Sequence, residues 1–210
     1  MLRLLIADDH PVFRQGLRQI IKETSDMSVT YEVSEGFEVL NAVRAGCCDA
    51  VLLDISLPGI NGIDILKQLK KERPGLPVLM LTMHPEEQYA IRALKAGASG
   101  YLTKESTPDE LVLAIRKVSA GGKYVSTSLA EKMAYELERT DEQALHGTLS
   151  DREYQIMLLI ASGKTITEIA GELSLSIKTI STYRARILEK MGIKNNAELT
   201  YYAIKNQLVD

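Results

Sequence analysis

Short apolar runs alternate with helix-like segments through the first 120 residues, and this alternation restricts the fold more than any other feature. The runs LRLLIA (2–7), AVLLD (50–54) and VLMLT (78–82) are continuously apolar, which is typical of strands buried on both faces of a parallel sheet. Weaker strand candidates are SVTYEV (28–33) and GYLT (100–103). Five such units predict an α/β domain with a doubly wound five-stranded parallel sheet and right-handed crossovers.

Helix start and stop signals separate these strands. The predicted helices cover residues 12–23, 36–46, 63–73, 86–96 and 107–120. Thr107-Pro108 offers a capping residue followed by a proline at the first helical position. Gly46 and Gly97 stand where helices end.

After residue 120 the strand signal disappears. Helices are predicted over 127–138, 151–162, 166–173, 177–190 and 197–206. The polar stretch ERTDEQALHGT (138–148) has no apolar periodicity, and we interpret it as a linker. The sequence therefore predicts an α/β domain over 1–122, a linker helix and polar linker over 123–147, and a small all-α domain over 148–210.

Composition favours a soluble cytoplasmic protein. Apolar residues make up 45% and charged residues 25% of the 210 residues, and no apolar run approaches the ~18 residues of a transmembrane helix. Asp8 and Asp9 interrupt the first apolar run at once, which argues against a signal peptide. Cys47 and Cys48 are the only cysteines, and they lack the spacing of a metal site.

Polar residues stand at the carboxyl end of each clearly predicted strand. In a doubly wound sheet the carboxyl ends of the strands lie at one edge. Asp8-Asp9, Asp54, Thr82 and Lys104 are therefore expected to converge. Three neighbouring carboxylates repel one another unless a cation is present, and Mg²⁺ prefers such oxygen ligands. One carboxylate can then attack phosphorus to give an acyl phosphate, while Lys104 neutralises phosphoryl charge.

The segments DDH, LLDISLPGINGI, LMLTMH and GASGYLTK resemble the signature segments of the receiver domain of two-component response regulators. The resemblance covers residues 2 to about 120 and implies a flavodoxin-like fold. It implies that Asp54 is the phosphoacceptor and that Mg²⁺ is held by Asp8, Asp9, Asp54 and the carbonyl of Ser56. It further implies a switch pair, Thr82 and Tyr101, and a phosphate-contacting Lys104.

Two details refine this expectation. We expect Asp9 to touch the ion directly and Asp8 to act through water. Many receivers follow the lysine with proline, whereas Glu105 stands here.

The stretch from 149 onward predicts a helix-turn-helix. Ser150 and Glu153 have capping-box spacing, and TITEIAGELSLS gives a short helix, a turn and a new helix capped by Ser176. In this motif the second helix enters the major groove of DNA. Residues 173–188 contain three basic residues and no acid, which suits a phosphate backbone even though the whole chain carries a net charge of -3.

This segment resembles the LuxR/NarL-type output domain over about 148–210, through LSDRE, EIA, LSLSIKTI and the Lys190-Met191 pair. The resemblance implies that Lys178 and Thr179 contact phosphates, that Ser181, Thr182 and Ala185 face bases, and that Arg184 and Arg186 lie on or beside the backbone. Ile166 and Thr167 depart from the usual asparagine and basic residue, so one phosphate contact is expected to be absent. The last helix resembles the one through which such domains dimerise.

These observations together predict a response regulator of the NarL/FixJ type, a transcription regulator rather than an enzyme. The expected partners are a cognate histidine kinase, double-stranded DNA and, after phosphorylation, a second copy of the chain. Two alternatives remain open: a regulator that uses its receiver only for docking, and a phosphoaspartyl phosphotransfer enzyme. The second needs another acid two residues after the nucleophile, where Ser56 stands.

Overall fold

The computed structural model describes residues 1–138 and 145–209, and its chain divides into two compact units, Met1–Met133 and Ala134–Asp210. The first unit alternates strands and helices. Its elements are β1 (Leu2–Ala7), α1 (Pro11–Lys22), β2 (Met27–Val33), α2 (Gly36–Arg44), β3 (Ala50–Leu53), α3 (Gly62–Glu72), β4 (Val78–Thr82), α4 (Glu86–Lys95), β5 (Gly100–Thr103) and α5 (Pro108–Ser119).

All strand pairs of the sheet are parallel, in the order β2-β1-β3-β4-β5. Every residue of β3 and β4 is buried, because helices cover both faces of these central strands. The strand order reverses between β1 and β3, and ligands of doubly wound sheets bind beyond the carboxyl ends of the strands at such a point. The acidic residues that follow β1 and β3 lie there.

The second unit is entirely helical in its described residues. Helix α6 (Thr127–Glu138) crosses the boundary between the units and is followed by a short 3-10 helix (Leu145–Thr148), α7 (Asp151–Ala161), α8 (Ile166–Glu172), α9 (Ile177–Met191) and α10 (Asn196–Lys205). Helices α7, α9 and α10 pack together around buried apolar side chains such as Ile156, Ile187 and Leu199. None of the described helices is long and apolar enough to cross a membrane.

The predicted fold class is confirmed, and each predicted strand and helix lies within two residues of its observed bounds. Within the predicted linker 138–148, residues 139–144 lie outside the described residues, and Leu145–Thr148 form the 3-10 helix. A contact that periodicity does not reveal orders this turn, because His146 Nδ1 lies 2.8 Å from the Tyr202 hydroxyl. The boundary between the two compact units falls inside α6, within the predicted linker region 123–147.

Capping side chains set the helix starts where the sequence indicates them. Thr107 and Glu110 form a reciprocal capping box at α5, and Pro108 occupies its first turn. Helix α1 begins at Pro11, and α3 is capped by the Asn61 side chain, which accepts from the Ile63 backbone N–H at 2.8 Å. Asp8 and Asp54 cap neither helix, so their carboxylates are available for another role.

Gly62 permits the close approach of α3 to the end of β3. A Cβ atom at this position would lie 2.1 Å from the Asp54 carbonyl oxygen and 2.7 Å from the Ile55 Cα atom, both of which are backbone atoms. Only glycine fits without displacing the strand end that carries Asp54. The turn between β3 and α3 therefore fixes the position of this aspartate.

We expect Gly62→Ala to lower the free energy of unfolding by about 3 kcal/mol, because overpacking against backbone forces the strand end and helix apart. The matched control is Gly16→Ala in the exposed middle of α1, where the new methyl group meets no described atom within 4 Å. That control should stabilise the protein by about 0.5–1 kcal/mol, since alanine favours helix. Urea unfolding followed by far-UV circular dichroism compares the two; equal stability of both variants would contradict the steric argument.

Candidate functional site

The ends of three parallel strands bring the predicted charged residues to one edge of the sheet. Asp8 and Asp9 follow β1, Asp54 follows β3, and Lys104 follows β5. Backbone pairing continues past the strand ends, with the Asp54 N–H donating to the Ala7 carbonyl at 2.9 Å and the Lys104 N–H donating to the Thr82 carbonyl at 2.8 Å. The backbone itself therefore aims these side chains at a common point.

One ammonium group bridges two buried carboxylates in this pocket. Lys104 Nζ lies 2.7 Å from Asp54 Oδ2 and 2.5 Å from Asp8 Oδ2, and all three side chains are at most 3% exposed. The Phe13 ring faces the same ammonium, with its centroid 4.8 Å from Nζ, and supports it by a cation–π contact. The structure thus brings together Lys104, Asp54 and Asp8, as the sequence predicts.

Negative charge exceeds positive charge in this pocket. Burial raises the pKa of Asp8, and the hydrogen bonds from Lys104 and the His10 backbone N–H only partly offset this effect. With Asp9 included, three carboxylates face one ammonium, which leaves two negative charges when all are ionised. A divalent cation would balance that charge.

Asp9 supplies the observation that tests whether a cation fits. Its Oδ1 atom is buried without an aligned hydrogen bond among the described residues, and lies 2.8 Å from His10 Nδ1. One ligand atom from each of Asp8, Asp9, His10 and Asp54 lies within 4.8 Å of the others. Hard cations take carboxylate oxygens at 2.0–2.6 Å, so a carboxylate oxygen without a full hydrogen bond in such a cluster suits a divalent ion.

Ser56 lies beside the predicted acceptor, as its position in the sequence requires. Its backbone N–H donates to Asp54 Oδ1 at 3.2 Å, and its hydroxyl lies 2.9 Å from His84 Nε2. The participation of the Ser56 carbonyl in metal binding stays a prediction. His84 itself was left without a role by the sequence, because its partner lies 28 residues earlier and no spacing rule connects them.

Thr82 and Tyr101 occupy neighbouring strands next to the pocket. Thr82 ends β4, is fully buried, and accepts from the His84 N–H through its hydroxyl at 3.3 Å. Tyr101 on β5 is also fully buried, and its hydroxyl donates to the His84 carbonyl at 2.9 Å. The loop between β4 and α4 is therefore contacted by both residues of the predicted switch pair.

A second candidate surface lies on α9, the longer helix of the predicted helix-turn-helix. Ser176 caps this helix by accepting from the Thr179 N–H at 3.0 Å, and Gly192 ends it with a φ of 65°. Ile180, Ile187 and Met191 face the core. The predicted DNA-contacting residues on the opposite side are exposed or partly exposed: Lys178, Thr179, Ser181, Thr182, Arg184, Ala185 and Arg186.

Arg184 differs from its neighbours because it is tied to α10. Its Nε atom donates to Asn196 Oδ1 at 2.7 Å, so the guanidinium is partly buried at the start of that helix. Arg186 is exposed and, with Lys178, Thr182 and Tyr183, lines a shallow depression along α9. Sequence reasoning missed Tyr183, although its spacing of four residues from Thr179 and three from Arg186 places it on the same face.

Polar contacts from α7 hold α9 and the end of α8 in place. Lys190 Nζ on α9 lies 2.6 Å from Glu153 Oε2, and an Arg152 guanidinium nitrogen donates at 3.3 Å to the carbonyl of Leu173, which ends α8. Burial acts to raise the pKa of Glu153, but Lys190 and the Ser150 capping contacts hold it below its usual value. The charged residues in the LSDRE segment therefore anchor the longer helix and leave its outer face open.

Helix α10 presents an apolar face to solvent. Leu199 and Ala203 are buried against the domain, whereas Tyr201 is 69% and Ile204 is 51% exposed. These two residues are three apart and share one side of the helix.

Comparisons with known proteins match both units. Residues 4–116 match the response regulator receiver domain, and residues 147–203 match the bacterial regulatory proteins of the luxR family. The chain is 36% identical to the response regulator UvrY of Escherichia coli strain K12, over 99% of this chain and 96% of that protein. It is 35% identical to the response regulator GacA of Pseudomonas protegens, over 100% of this chain and 99% of that protein.

Solved structures agree with this assignment. RcsB from Salmonella enterica serovar Typhimurium, bound to promoter P1flhDC in the presence of phosphomimetic BeF3-, superimposes with a TM-score of 0.60 at 28% identity, covering 96% of this chain and 97% of that chain. The two units therefore match, in the same order, the full length of known response regulators. The chain belongs to the response regulators, the DNA-binding transcription regulators in which a receiver domain precedes a LuxR-type helix-turn-helix domain.

Proposed function

We propose that Asp54 accepts a phosphoryl group from a cognate histidine kinase, and that this modification controls DNA binding by α9. The contact that carries this proposal is the buried carboxylate of Asp54, 2.7 Å from Lys104 Nζ at the switch point of the sheet. Its Oδ1 accepts the Ser56 N–H at 3.2 Å. A carboxylate oxygen so placed is available to attack phosphorus.

The transfer itself needs little from the protein beyond charge and alignment. A carboxylate oxygen of Asp54 forms the new bond to phosphorus, the bond to the phosphodonor breaks, and the donor leaves with that electron pair. Lys104, already bonded to Asp54, neutralises an oxygen of the arriving group. Asp9, Asp54 and the Ser56 carbonyl would hold Mg²⁺, with Asp8 acting through water, and the ion when bound neutralises further phosphoryl charge.

The enzyme alternative lacks support from the pocket. A phosphoaspartyl hydrolase needs a second acid two residues after the nucleophile, and here the Ser56 hydroxyl contacts His84 instead. The docking alternative leaves unexplained why Asp8, Asp54 and Lys104 are buried together, since burying charged groups is costly. We therefore assign the receiver a signalling role in the cytoplasm, where a regulator of DNA would act.

Incubation of the full chain with Mg²⁺ and acetyl phosphate tests the acceptor. We expect the wild type to gain the mass of one phosphoryl group, and Asp54→Asn to gain none, because an amide oxygen is a poor nucleophile. Asp49→Asn is the matched control, since this exposed carboxylate pairs with Arg3 near the opposite end of β3. Modification of the Asp54 variant, or rapid turnover of the donor without stable modification, would contradict the proposal.

The outer face of α9 is proposed to bind double-stranded DNA. Lys178 and Thr179 at its N-terminal end contact phosphates, with Arg186 beside the backbone, while Ser181, Thr182 and Ala185 face base edges. These residues are exposed or partly exposed, and the helix that carries them is anchored on its other side by Lys190 and buried apolar residues. Such a short, neutral base-facing set implies modest direct readout, supplemented by DNA shape.

Salt dependence of binding to a random-sequence duplex tests the phosphate contacts. We expect Lys178→Ala and Arg186→Ala each to weaken binding about 3- to 10-fold and to lower the slope of log K against log salt by about 0.9, since each removes one phosphate contact. Lys194→Ala is the control, because Lys194 is exposed but follows the C-terminal end of α9. Fluorescence anisotropy measures the affinities; an equal effect of all three variants would contradict a specific role for α9.

Dimerisation is proposed to occur through α10 after phosphorylation. The exposed Tyr201 and Ile204 form a face that a two-fold copy would cover, and a two-fold dimer matches an inverted-repeat DNA site. Aromatic residues such as tyrosine are enriched at interfaces of this kind.

Sedimentation velocity after acetyl phosphate treatment tests this surface. We expect the wild type to sediment as a dimer, and Tyr201→Glu to raise the dimer dissociation constant at least about ten-fold, because a charge would be buried at the interface. Tyr31→Glu is the control, since Tyr31 is similarly exposed but lies on β2. Unchanged dimerisation of the Tyr201 variant would remove α10 from the interface.

A further inference from the structure

Ile177 exposes an apolar side chain on the helix that is proposed to bind DNA. It is the first residue of α9, directly after the capping residue Ser176, and 54% of its surface is exposed. Ile180, Ile187 and Met191 of the same helix are buried in the core of the second unit. The packing of that core therefore does not explain why position 177 is apolar.

Helical spacing places Ile177 in line with residues that are proposed to face base edges. Residues four apart lie on the same side of an α-helix, so Ile177, Ser181 and Ala185 form one row along α9. All three are exposed. In helix-turn-helix proteins the N-terminal residues of the second helix reach the base edges. Ile177 therefore extends the base-facing row by one turn, toward the end of the helix that enters the groove.

Two polar side chains of this helix use their hydrogen-bond donors inside the protein. The Thr182 hydroxyl donates to the Lys178 carbonyl at 3.0 Å, so it can accept from a base but cannot donate to one. Arg184 Nε donates to Asn196 Oδ1 at 2.7 Å. Acceptor atoms on base edges, such as guanine N7 and O6, therefore meet fewer donors on α9 than its sequence suggests. An apolar contact consequently accounts for a larger share of the readout.

Thymine is the base that presents an apolar group in the major groove. Its C5 methyl group lies there, and apolar side chains contact it. Isoleucine has no hydrogen-bonding atom in its side chain, so this methyl group is the base feature that suits it. The neighbouring Lys178 is exposed and basic, which attracts a phosphate backbone to the same end of α9. The surroundings of Ile177 therefore favour DNA as the molecule that covers it.

We propose that Ile177 reads thymine, by contacting the C5 methyl group of one thymine in the major groove when α9 binds DNA. The inference rests on the proposed function, because it requires α9 to be the helix that enters the groove. Apolar surface is buried only when that base is thymine, so binding depends on the base at this position. Ile177 is a specificity-determining residue, whereas Lys178 adds affinity for any sequence.

Replacement of thymine by deoxyuridine, which lacks only the C5 methyl group, tests this contact. The full chain, treated with acetyl phosphate, first selects duplexes from a random-sequence pool, and each thymine of one selected duplex is then replaced in turn. We expect replacement at one position per half-site to weaken wild-type binding about 3- to 10-fold, measured by fluorescence anisotropy. Ile177→Ala should bind the unmodified duplex more weakly by a similar factor and should not distinguish thymine from deoxyuridine at that position.

Two control variants separate base reading from other roles. Lys178→Ala should bind more weakly but keep the preference for thymine, because a phosphate contact does not depend on the base. Phe37→Ala removes a side chain that is also 54% exposed, from α2 in the first unit, and should leave both affinities unchanged. Ile177→Ala should bind a random-sequence duplex within about two-fold of wild type, since phosphate contacts dominate such binding, and this result also shows that the variant folds.

The outcomes distinguish failure of this inference from failure of the proposed function. A preference for thymine that persists in Ile177→Ala overturns the inference, and so does a selected duplex in which no thymine methyl group contributes to wild-type binding. Either result leaves α9 as the DNA-binding helix if Lys178→Ala still binds more weakly. Equal affinity of wild type, Lys178→Ala and Ile177→Ala for the selected duplex, or failure to select any duplex, overturns the proposed role of α9 itself.

Discussion

The charge imbalance around Lys104 is the constraint on which the receiver depends. Three carboxylates converge on one ammonium, and both Asp8 and Asp54 are bonded to it at 2.5–2.7 Å in a buried setting. Burying unbalanced charges in such a pocket costs stability. Lys104 can neutralise only part of this charge, so the charge balance favours a divalent cation in the pocket.

The fold could be predicted from the sequence because the apolar pattern of each segment agrees with its place in the whole sheet. Continuous apolar runs required a parallel sheet, and the sheet in turn required the strand-end residues Asp8, Asp54 and Lys104 to meet, which they do. What the sequence left open depends on contacts between distant residues. The Ser56–His84 contact and the His146–Tyr202 contact join residues 28 and 56 positions apart, and no periodicity or spacing rule connects them. His10 was left unassigned because a lone histidine beside two acids has no motif.

In the helix-turn-helix, the side chains that anchor α9 and the side chains exposed to solvent lie on opposite sides of the helix. Glu153 and Arg152, both buried, hold α9 and the turn before it from the inner side, while Lys178 and Arg186 remain exposed on the outer side. Arg184 has a structural contact that its motif does not indicate. The motif groups it with the backbone-contacting arginines, and its Nε atom also donates to Asn196, which links α9 to the start of α10. The phosphate contact of Arg184 stays a prediction.

Within the first unit, hydrogen bonds connect the neighbourhood of Asp54, the proposed phosphoacceptor, to the start of α6. The residue two positions after Asp54 contacts the His84 ring, and the His84 carbonyl accepts from the Tyr101 hydroxyl. The same loop leads into α4, where Glu86 accepts from the Ser126 hydroxyl at 2.5 Å, and Ser126 caps the first turn of α6 through the Leu129 N–H at 3.0 Å. Under the proposed function, a phosphoryl group on Asp54 that bonded to Thr82 would act on the loop that all of these contacts share. Because packed elements switch between discrete arrangements rather than deforming smoothly, a shift of that loop would be transmitted to the start of α6.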